Sequence, residues 1–372
     1  MILIGTREGK RTDYMRKAAA AENTPLEVLP WEALQNQPPW EKLPEDLLPG
    51  QSPMERLQGA AVKIDPPPAQ TFNLEEMAKS LEAYKNILEH LAKAECRFLN
   101  TPESIRLLLD KRRTKHLLGD SGIPVTEMFP EEPSNVKELL ELMERRRCYS
   151  VFVKPRYFSG AAGVAAFRVH PKRDKFCLYT SCQLIKNQLA NTKKLLRTEN
   201  PKEICHLLDR LLALDCVVER WHPKANFHGK SFDLRVVFQF GHVAFIVARQ
   251  SPGPITNLHL NNQALPAKSL GLASPILDEI ETICAQACSV FPGLSMAGID
   301  ILLERGTLRP RIIEMNGQGD LIYQDIYGEN LIYREQARHL RWEEITSVND
   351  GKRRSPSSQH RKKKRSISKD IS

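Results

Sequence analysis

No apolar run in this 372-residue chain approaches the ~20 residues that cross a bilayer, and the N-terminus MILIGTREGKR lacks the hydrophobic stretch of a signal peptide. A cytoplasmic protein with no membrane partner is expected. Cysteine offers no metal or disulfide pattern, since Cys96, Cys148, Cys177, Cys182, Cys205, Cys216, Cys284 and Cys288 contain no CxxC pair. Cys284 and Cys288 would share a helix face, but no second pair or His cluster follows to complete a zinc site. They read as small core residues. Excess charge is nearly missing from the body of the chain despite a formal +9. Nine Lys or Arg against one Asp give the tail from Gly351 to Ser372 a charge of +8, which leaves +1 for everything before it. The near-neutral folded part gives no case for a nucleic-acid face, and any such contact is expected to be weak and made through the tail. The tail, 350–372, is Ser- and Lys-rich and is expected to be disordered.

What is present is an ordinary globular composition, 41% hydrophobic, on a chain long enough for two or three subdomains. Ile2 to Ile4 reads as a buried strand, Thr12 to Ala21 as a helix with Asp13 in its first turn, and Leu26 to Leu29 as a second strand. Together they start an α/β unit. Further on, AVKIDPPPAQ ends a strand in a proline run that cannot continue a ladder. Asn73 to Leu91 is helical in pattern, Phe98 and Leu99 make a short strand, and Thr101 is placed to cap the next helix. Lys111 stands between two helical stretches, where it can point toward a nucleotide.

From Tyr149 to Val169 an apolar strand carries a lone Lys154, a small-residue loop spans Ser159, Gly160 and Gly163, and a second apolar strand leaves it. Small side chains let backbone amides approach an anion, and Lys154 adds a point charge, so the segment reads as a phosphate cradle. It has neither a GK[ST] nor the strand, Gly-rich turn and helix of a dinucleotide site. Thr180 to Leu214 reads as mixed polar segments with one helix. Asp215 to Trp221 is a strand ending in Glu219, Arg220 and Trp221, suited to read an adenine edge, with Trp221 as an apolar wall. Asp233 to Arg249 is a hairpin turning near Gly241. Pairing about that turn sets Arg235 opposite Arg249, and two guanidiniums that close imply an anion between them. Thr256, Asn257, Asn261 and Asn262 follow as candidate ligand-binding side chains, and Pro275 to Phe291 as a helix.

The stretch from Ala297 to Gly319 places three oxygen ligands in an apolar hairpin. With its loop centred on Thr307, Asp300 lies opposite Glu314, while Glu314 and Asn316 share a face by alternation. Two buried carboxylates left unpaired would cost several kcal/mol each, so a cation or basic side chains must meet them. Hard oxygens favour magnesium or manganese. After Gly319 the chain reads as closing helices.

The order of Lys154 with its loop, Glu219, Asp233-Leu-Arg235, Arg249, Thr256-Asn257, Asp300 and Glu314-Met-Asn316 resembles the ATP-grasp superfamily. It looks most like the glutathione synthetase and ribosomal-protein glutamate ligase branch. The resemblance implies an α/β fold in which two subdomains clasp ATP, with a small preATP-grasp domain at 1–100 and the ATP-grasp domain at 101–345. The latter would divide into 101–215, with the phosphate loop, and 216–345, with the metal site. It also implies that Asp300, Glu314 and Asn316 hold magnesium. Lys111, Lys154, Ser159, Gly160, Gly163, Glu219, Arg220, Trp221, Asp233, Thr256 and Asn257 would bind ATP, and Arg235 and Arg249 would act at the transferred phosphoryl group and the carboxylate substrate. The implied activity is an ATP-dependent carboxylate–amine (or thiol) ligase working through an acyl phosphate, its acceptor a small molecule, peptide or protein tail. A nucleotide-binding scaffold without turnover and a kinase are the alternatives, and the oligomeric state stays open. Ile255, where relatives commonly have Arg, Asn261-Asn262 in place of a Gly pair, and GQGD after Glu314-Met-Asn316 depart from the pattern on the acceptor side.

Overall fold

The computed structural model describes residues 1–34, 52–172, 175–260, 262–320 and 329–349. Three sheets organise them. The first is wholly parallel: β1 (Ile2–Gly5), β2 (Glu27–Pro30), β3 (Ala61–Ile64) and β4 (Arg97–Phe98) lie in the order β2-β1-β3-β4. Its central strand β1 is a continuous apolar run, ILIG, because both faces of the sheet are covered. On one face Ile2, Ile4 and Val62 meet Leu88 and Leu91; on the other, Leu3 meets Met15 and Ala18. The covering helices are α1 (Lys10–Ala21), α2 (Pro53–Leu57) and α3 (Leu74–Leu91). Next come α4 (Pro102–Leu109), capped by Thr101 as expected, and α5 (Lys111–Asp120), capped by Asp110. Arg156 bonds the Asp110 carboxylate at 2.8 and 2.6 Å, and Lys111 N donates to Arg156 O at 3.1 Å. The first turn of α5 is thus tied to the loop after the Lys154 strand.

The second sheet is antiparallel and follows α6 (Val136–Arg145). It comprises β5 (Ser150–Pro155), β6 (Ala165–His170), β7 (Lys175–Ile185), β8 (Gln188–Thr198) and β9 (Cys216–Arg220), in the order β8-β7-β6-β5-β9. With α7 (Pro201–Leu212), α6 packs Leu139, Leu142, Leu208 and Leu211 onto Val151, Val153 and Phe167. Two corrections arise here. The segment from Thr180 read as mixed polar holds the second half of β7 and all of β8, 11-residue strands that turn through Lys186 and Asn187, both at positive φ as in a type I′ hairpin. And β9 pairs with β5, so this sheet runs past the expected division at 215/216 to Arg220.

The third sheet joins β10 (Asn226–Phe227), β11 (Lys230–Gln239), β12 (His242–Ser251), β13 (Gln263–Pro266), β14 (Met296–Leu303) and β15 (Pro310–Asn316). Its order is β13-β12-β11-β14-β15, with β10 paired to β11. One face buries Ile280, Ile283 and Cys284 of α8 (Ser274–Ser289); the other shares a core with α1 and α9 (Leu331–Asn349). Cys284 and Cys288 are buried free thiols in this core. Asn261, residues 321–328 of the expected closing helices and the tail 350–372 lie outside the described residues. No described helix is long and apolar enough to cross a membrane.

A buried ionic cluster fastens the first sheet to the chain just beyond β15. Asp320 receives Arg11 and Lys63, the latter at 3.0 Å, and Gln336 at 3.3 Å; Lys63 also bonds Asp65. Burial opposes ionisation of Asp320, but Lys63 and Arg11 outweigh it and hold its carboxyl at about 2, against an ordinary 3.8. Its stabilising contribution is therefore complete above pH 3.8 and is lost as pH falls toward 2. Asp320→Asn is expected to remove about 3 kcal/mol at pH 7, because it leaves two buried cations sharing one carboxylate. Urea unfolding should show this loss and should show it narrowing below pH 3.8; an unchanged midpoint at pH 7 would mean the cluster adds no net stability.

Candidate active site

In β14 and β15, Asp300 pairs with Glu314 and Gly298 with Asn316, so the register expected for the acidic hairpin is present. A bulge between Asp300 and Ile301 takes up one extra residue. Beyond Asn316 the chain folds flat over β14: a Cβ on Gly298 would lie 2.2 Å from Gly319 O, and one on Gly319 would lie 2.8 Å from Gly298 Cα. Only glycine permits that approach at either position. Asn100 pins the same end of the hairpin. Its amide donates to Met296 O (2.8 Å) and Gly317 O (2.5 Å), and its carbonyl accepts from Ser295 N (2.8 Å) and Met296 N (2.9 Å). Every hydrogen-bonding capacity of that buried side chain is used.

Basic side chains meet the two carboxylates. Arg235 Nε donates to Asp300 Oδ1 at 2.5 Å and Arg249 Nη2 lies 3.0 Å from Asp300 Oδ2, while Lys111 Nζ lies 3.3 Å from Glu314. The arginines are not directly opposite each other. The turn falls at Phe240 and Gly241, and a bulge at Val237/Phe238 shifts the ladder, so Arg235 faces Val247 and Arg249 faces Asp233. The displacement is two residues, which keeps both guanidiniums on one face. The anion between them is the protein's own Asp300. Asp233 is a second anchor: it accepts from Arg249 Nε (2.7 Å), Lys224 Nζ (2.9 Å) and the Thr256 hydroxyl. Burial opposes its charge, yet Arg249 and Lys224 hold its carboxyl well below the usual range.

Glu219, fully enclosed at the end of β9, gathers a second set. Its Oε2 meets Lys115 (2.7 Å), Lys154 (2.8 Å) and the Thr126 hydroxyl (3.1 Å). Burial opposes its ionisation, and the two lysines outweigh burial and hold it at about 2; burial draws Lys115 down to about 8 against the pull of Glu219. Oε1 of Glu219 is buried with no partner among the described residues.

These groups face a cleft of about 720 Å³ between the second and third sheets. Lys111, Lys154, Glu219, Lys224, Arg249, Asp300 and Glu314 line it, and its apolar walls come from Phe152 and Val164 on one side and Ile255 and Leu302 on the other. Trp221 is not on the wall: its ring stands behind Phe152, centroids 5.5 Å apart. The backbone amides of Arg220 and Trp221 donate to Glu127 O and Ser150 O, so neither is available to an adenine edge. Nor is Asn262 a ligand side chain. Its amide braces the loop by donating to Ile255 O and Asn257 O, each at 2.9 Å. Gly163 does not line this cleft; at φ +67° its absent Cβ makes room for Pro155 Cγ, 2.8 Å from where that atom would sit.

No protein-family model and no curated protein matches the sequence. Solved structures do match the fold. The D-cycloserine synthetase DcsG is 16% identical, with a TM-score of 0.57 over 91% of this chain and 100% of its own. The macrocyclase MdnC from Microcystis aeruginosa MRC, solved with the precursor peptide MdnA, is 14% identical, with a TM-score of 0.57 over 91% and 99%. The ATP-grasp ligase PsnB, solved with a minimal precursor, Mg and ADP, is 15% identical, with a TM-score of 0.54 over 92% and 97%. The chain has the ATP-grasp fold.

A second, larger space of about 1760 Å³ adjoins the ATP-grasp cleft, and Phe158, Arg249 and Asn257 line both. Ser159, Gly160, Arg235 and Asn316 face this larger space, whereas Asp300 and Glu314 face the smaller one. The acidic hairpin therefore stands at the boundary of the two. Among the described residues no group of three or more His, Cys, Asp or Glu is arranged to hold a metal. Sequence reading missed Lys115, Thr126 and Lys224. Buried lysines look like surface ones until their partners are known, and Glu219 and Asp233 lie on other elements. Arg249→Ala is expected to lower any ATP-dependent turnover about 100-fold while changing nucleotide affinity only a few-fold, since its contacts lie where the cavities meet. Steady-state kinetics beside nucleotide titration will check it; equal losses in both would place Arg249 on the nucleotide alone.

Proposed function

We propose that this ATP-grasp chain is an ATP-dependent ligase that joins a carboxylate to an amine and releases ADP and phosphate. One observation carries the reading: the cleft lined by Lys111, Lys154, Asp300 and Glu314 opens at Arg249 into a second cavity large enough for another substrate. ATP suits the smaller cleft. Phe152 and Ile255 supply apolar walls for the base, and the unpartnered Glu219 Oε1 is an acceptor for its amino group. Lys111 and Lys154 meet the phosphates, with the loop at Ser159 and Gly160 folding over them. Asp233 and Thr256 hold Lys224 and Arg249 toward the same charge.

Magnesium fits the donor set. Asp300, Glu314 and Asn316 offer only hard oxygens, too few to fill an octahedron, as suits an ion that keeps water and phosphate ligands. When bound, it would neutralise charge on the phosphate oxygens. In the chain's own part, Arg235 and Arg249 hold the acid's carboxylate in line with the γ-phosphorus. A carboxylate oxygen attacks that phosphorus, the bond to ADP breaks, and an acyl phosphate forms. The amine nitrogen then attacks the acyl carbon, phosphate leaves, and the nitrogen loses its proton. Exclusion of water by the Ser159–Gly160 loop spares the intermediate.

DcsG, MdnC and PsnB are a synthetase, a macrocyclase and a ligase, MdnC solved with a precursor peptide and PsnB with a minimal precursor. That supports ligase chemistry here and brings a peptide substrate within the proposal. The test is a panel of acids and amines with ATP and magnesium, followed by ADP release and product mass. ADP with a new amide is expected. ADP with a phosphorylated hydroxyl would make the chain a kinase, and nucleotide binding without turnover would make it a scaffold.

A further inference from the structure

The larger cavity differs sharply in chemistry from its neighbour. Four acids line the smaller cleft, Glu219, Asp233, Asp300 and Glu314; among the described residues none lines the larger one. Its charged side chains are Arg11, Arg235 and Arg249. Arg11 is satisfied from behind by Asp320 and by Gln318 O at 2.9 Å. Arg235 bonds through Nε and Nη1, and Arg249 through Nε and Nη2, so each keeps a further nitrogen for a ligand. The cationic end of the cavity is therefore the end that touches the ATP-grasp cleft.

Away from that end the wall carries no charge and is mostly apolar, with Gln70 and Thr71 of the strap and Ser80 and Tyr84 of α3 as its neutral polar groups. Met77 and Leu81 of α3, Leu109 of α4 and Leu258 contribute side chains, and the strap from β3 to α3 contributes Pro66, Pro67 and Pro68. Three successive prolines remove three backbone donors from this wall. A second charged group on a body lying along it would find no counter-charge among the described residues there, at a loss of binding. A free amino acid fits no better, because among the described residues no carboxylate lines this cavity to meet its ammonium, and Asp300 and Glu314 face the smaller cleft already paired with Arg235, Arg249 and Lys111.

We infer that the larger cavity takes a monocarboxylic acid with a sizeable aryl or alkyl body and no cationic group beside the carboxylate. The carboxylate lies on Arg235 and Arg249, and the body lies between the Pro66–Pro68 strap and the α3–α4 wall. The inference rests on the proposed ligase reading for which substrate is activated, but its test does not depend on turnover.

In that test, 4-phenylbutyrate and L-glutamate are each titrated calorimetrically into the full chain with magnesium and a non-hydrolysable ATP analogue. Binding of 4-phenylbutyrate at least 10-fold tighter than glutamate is expected. Met77→Glu, which sets a carboxylate in a half-buried wall position, should weaken 4-phenylbutyrate at least 10-fold and leave the analogue's affinity unchanged. Met77→Leu should bind like the parent. Equal or tighter binding of glutamate, no binding of 4-phenylbutyrate, or a normally folded Met77→Glu with parental affinity would overturn the assignment. Hydroxylamine added with ATP separates the two readings. A hydroxamate of the bound acid supports the ligase, while its absence beside a clear binding preference would defeat the ligase reading alone.

Discussion

Asp300→Asn is expected to lower magnesium- and ATP-dependent turnover by about 100-fold or more, a larger loss than any other single change on the acidic hairpin. The carboxylate does two things that an amide does not. Its Oδ1 and Oδ2 accept separately from Arg235 and Arg249, and it offers the hairpin's negative charge at the mouth of the cleft. Asparagine keeps one acceptor but turns an NH2 toward a guanidinium, so one arginine loses its place at the junction of the cavities. Glu314→Gln should act in the same direction with a smaller effect, since among the described residues Glu314 pairs with one basic side chain, Lys111, where Asp300 pairs with two. Nucleotide binding without magnesium should change no more than a few-fold in either variant, and circular dichroism should show the parent fold. Full activity in Asp300→Asn would remove Asp300 from the site.

The acidic hairpin was readable because Asp300, Glu314 and Asn316 stand out from two apolar runs joined by a polar loop; the ladder beside the loop is centred between Gly306 and Thr307, and the bulge at Asp300/Ile301 supplies the residue that sets Asp300 opposite Glu314. The neighbouring hairpin was readable as a hairpin but not in register. Nothing in DLRVVFQFGHVAFIVAR marks the bulge at Val237/Phe238, and with the turn at Phe240–Gly241 the ladder moves by two residues. β7 and β8 were hidden for a different reason. Lys193, Lys194 and Arg197 interrupt the alternation of a strand at the sheet edge, where charge is what keeps such a strand from pairing with other chains. The lysine-to-acid contacts were out of reach, because they are made only when β5, β9 and α5 come together. Ile255 read as a departure from the family pattern, yet in the fold it packs with Ala166 and Leu260 as an apolar wall of the cleft. A site's charged groups can be seen in a sequence before their pairing can, since pairing depends on register and on elements far apart in the chain.

Glu219→Gln is expected to destabilise the chain by about 3–5 kcal/mol, because it leaves Lys115 and Lys154 buried beside an amide in place of the carboxylate they share. The pH dependence distinguishes this cause from simple loss of packing. In the parent, Glu219 is held at about 2 against an ordinary 4.5, so its contribution is complete above pH 4.5 and disappears as pH falls toward 2. The deficit of the variant therefore shrinks on the acid side. On the other side, Lys115 sits at about 8 in the parent, below its ordinary 10.5, because burial dominates. Without Glu219 it drops further and sheds its proton at lower pH, so the variant recovers stability as pH rises toward 8. The deficit should be largest just above pH 4.5 and narrow in both directions, as read from urea midpoints across that range. Adding Lys115→Met to Glu219→Gln removes one of the two stranded charges and should restore part of the loss. A deficit that stays constant from pH 3 to 8 would show that the carboxylate contributes shape and not charge, and the pairing of Glu219 with Lys115 and Lys154 would then not be what holds this end of β9.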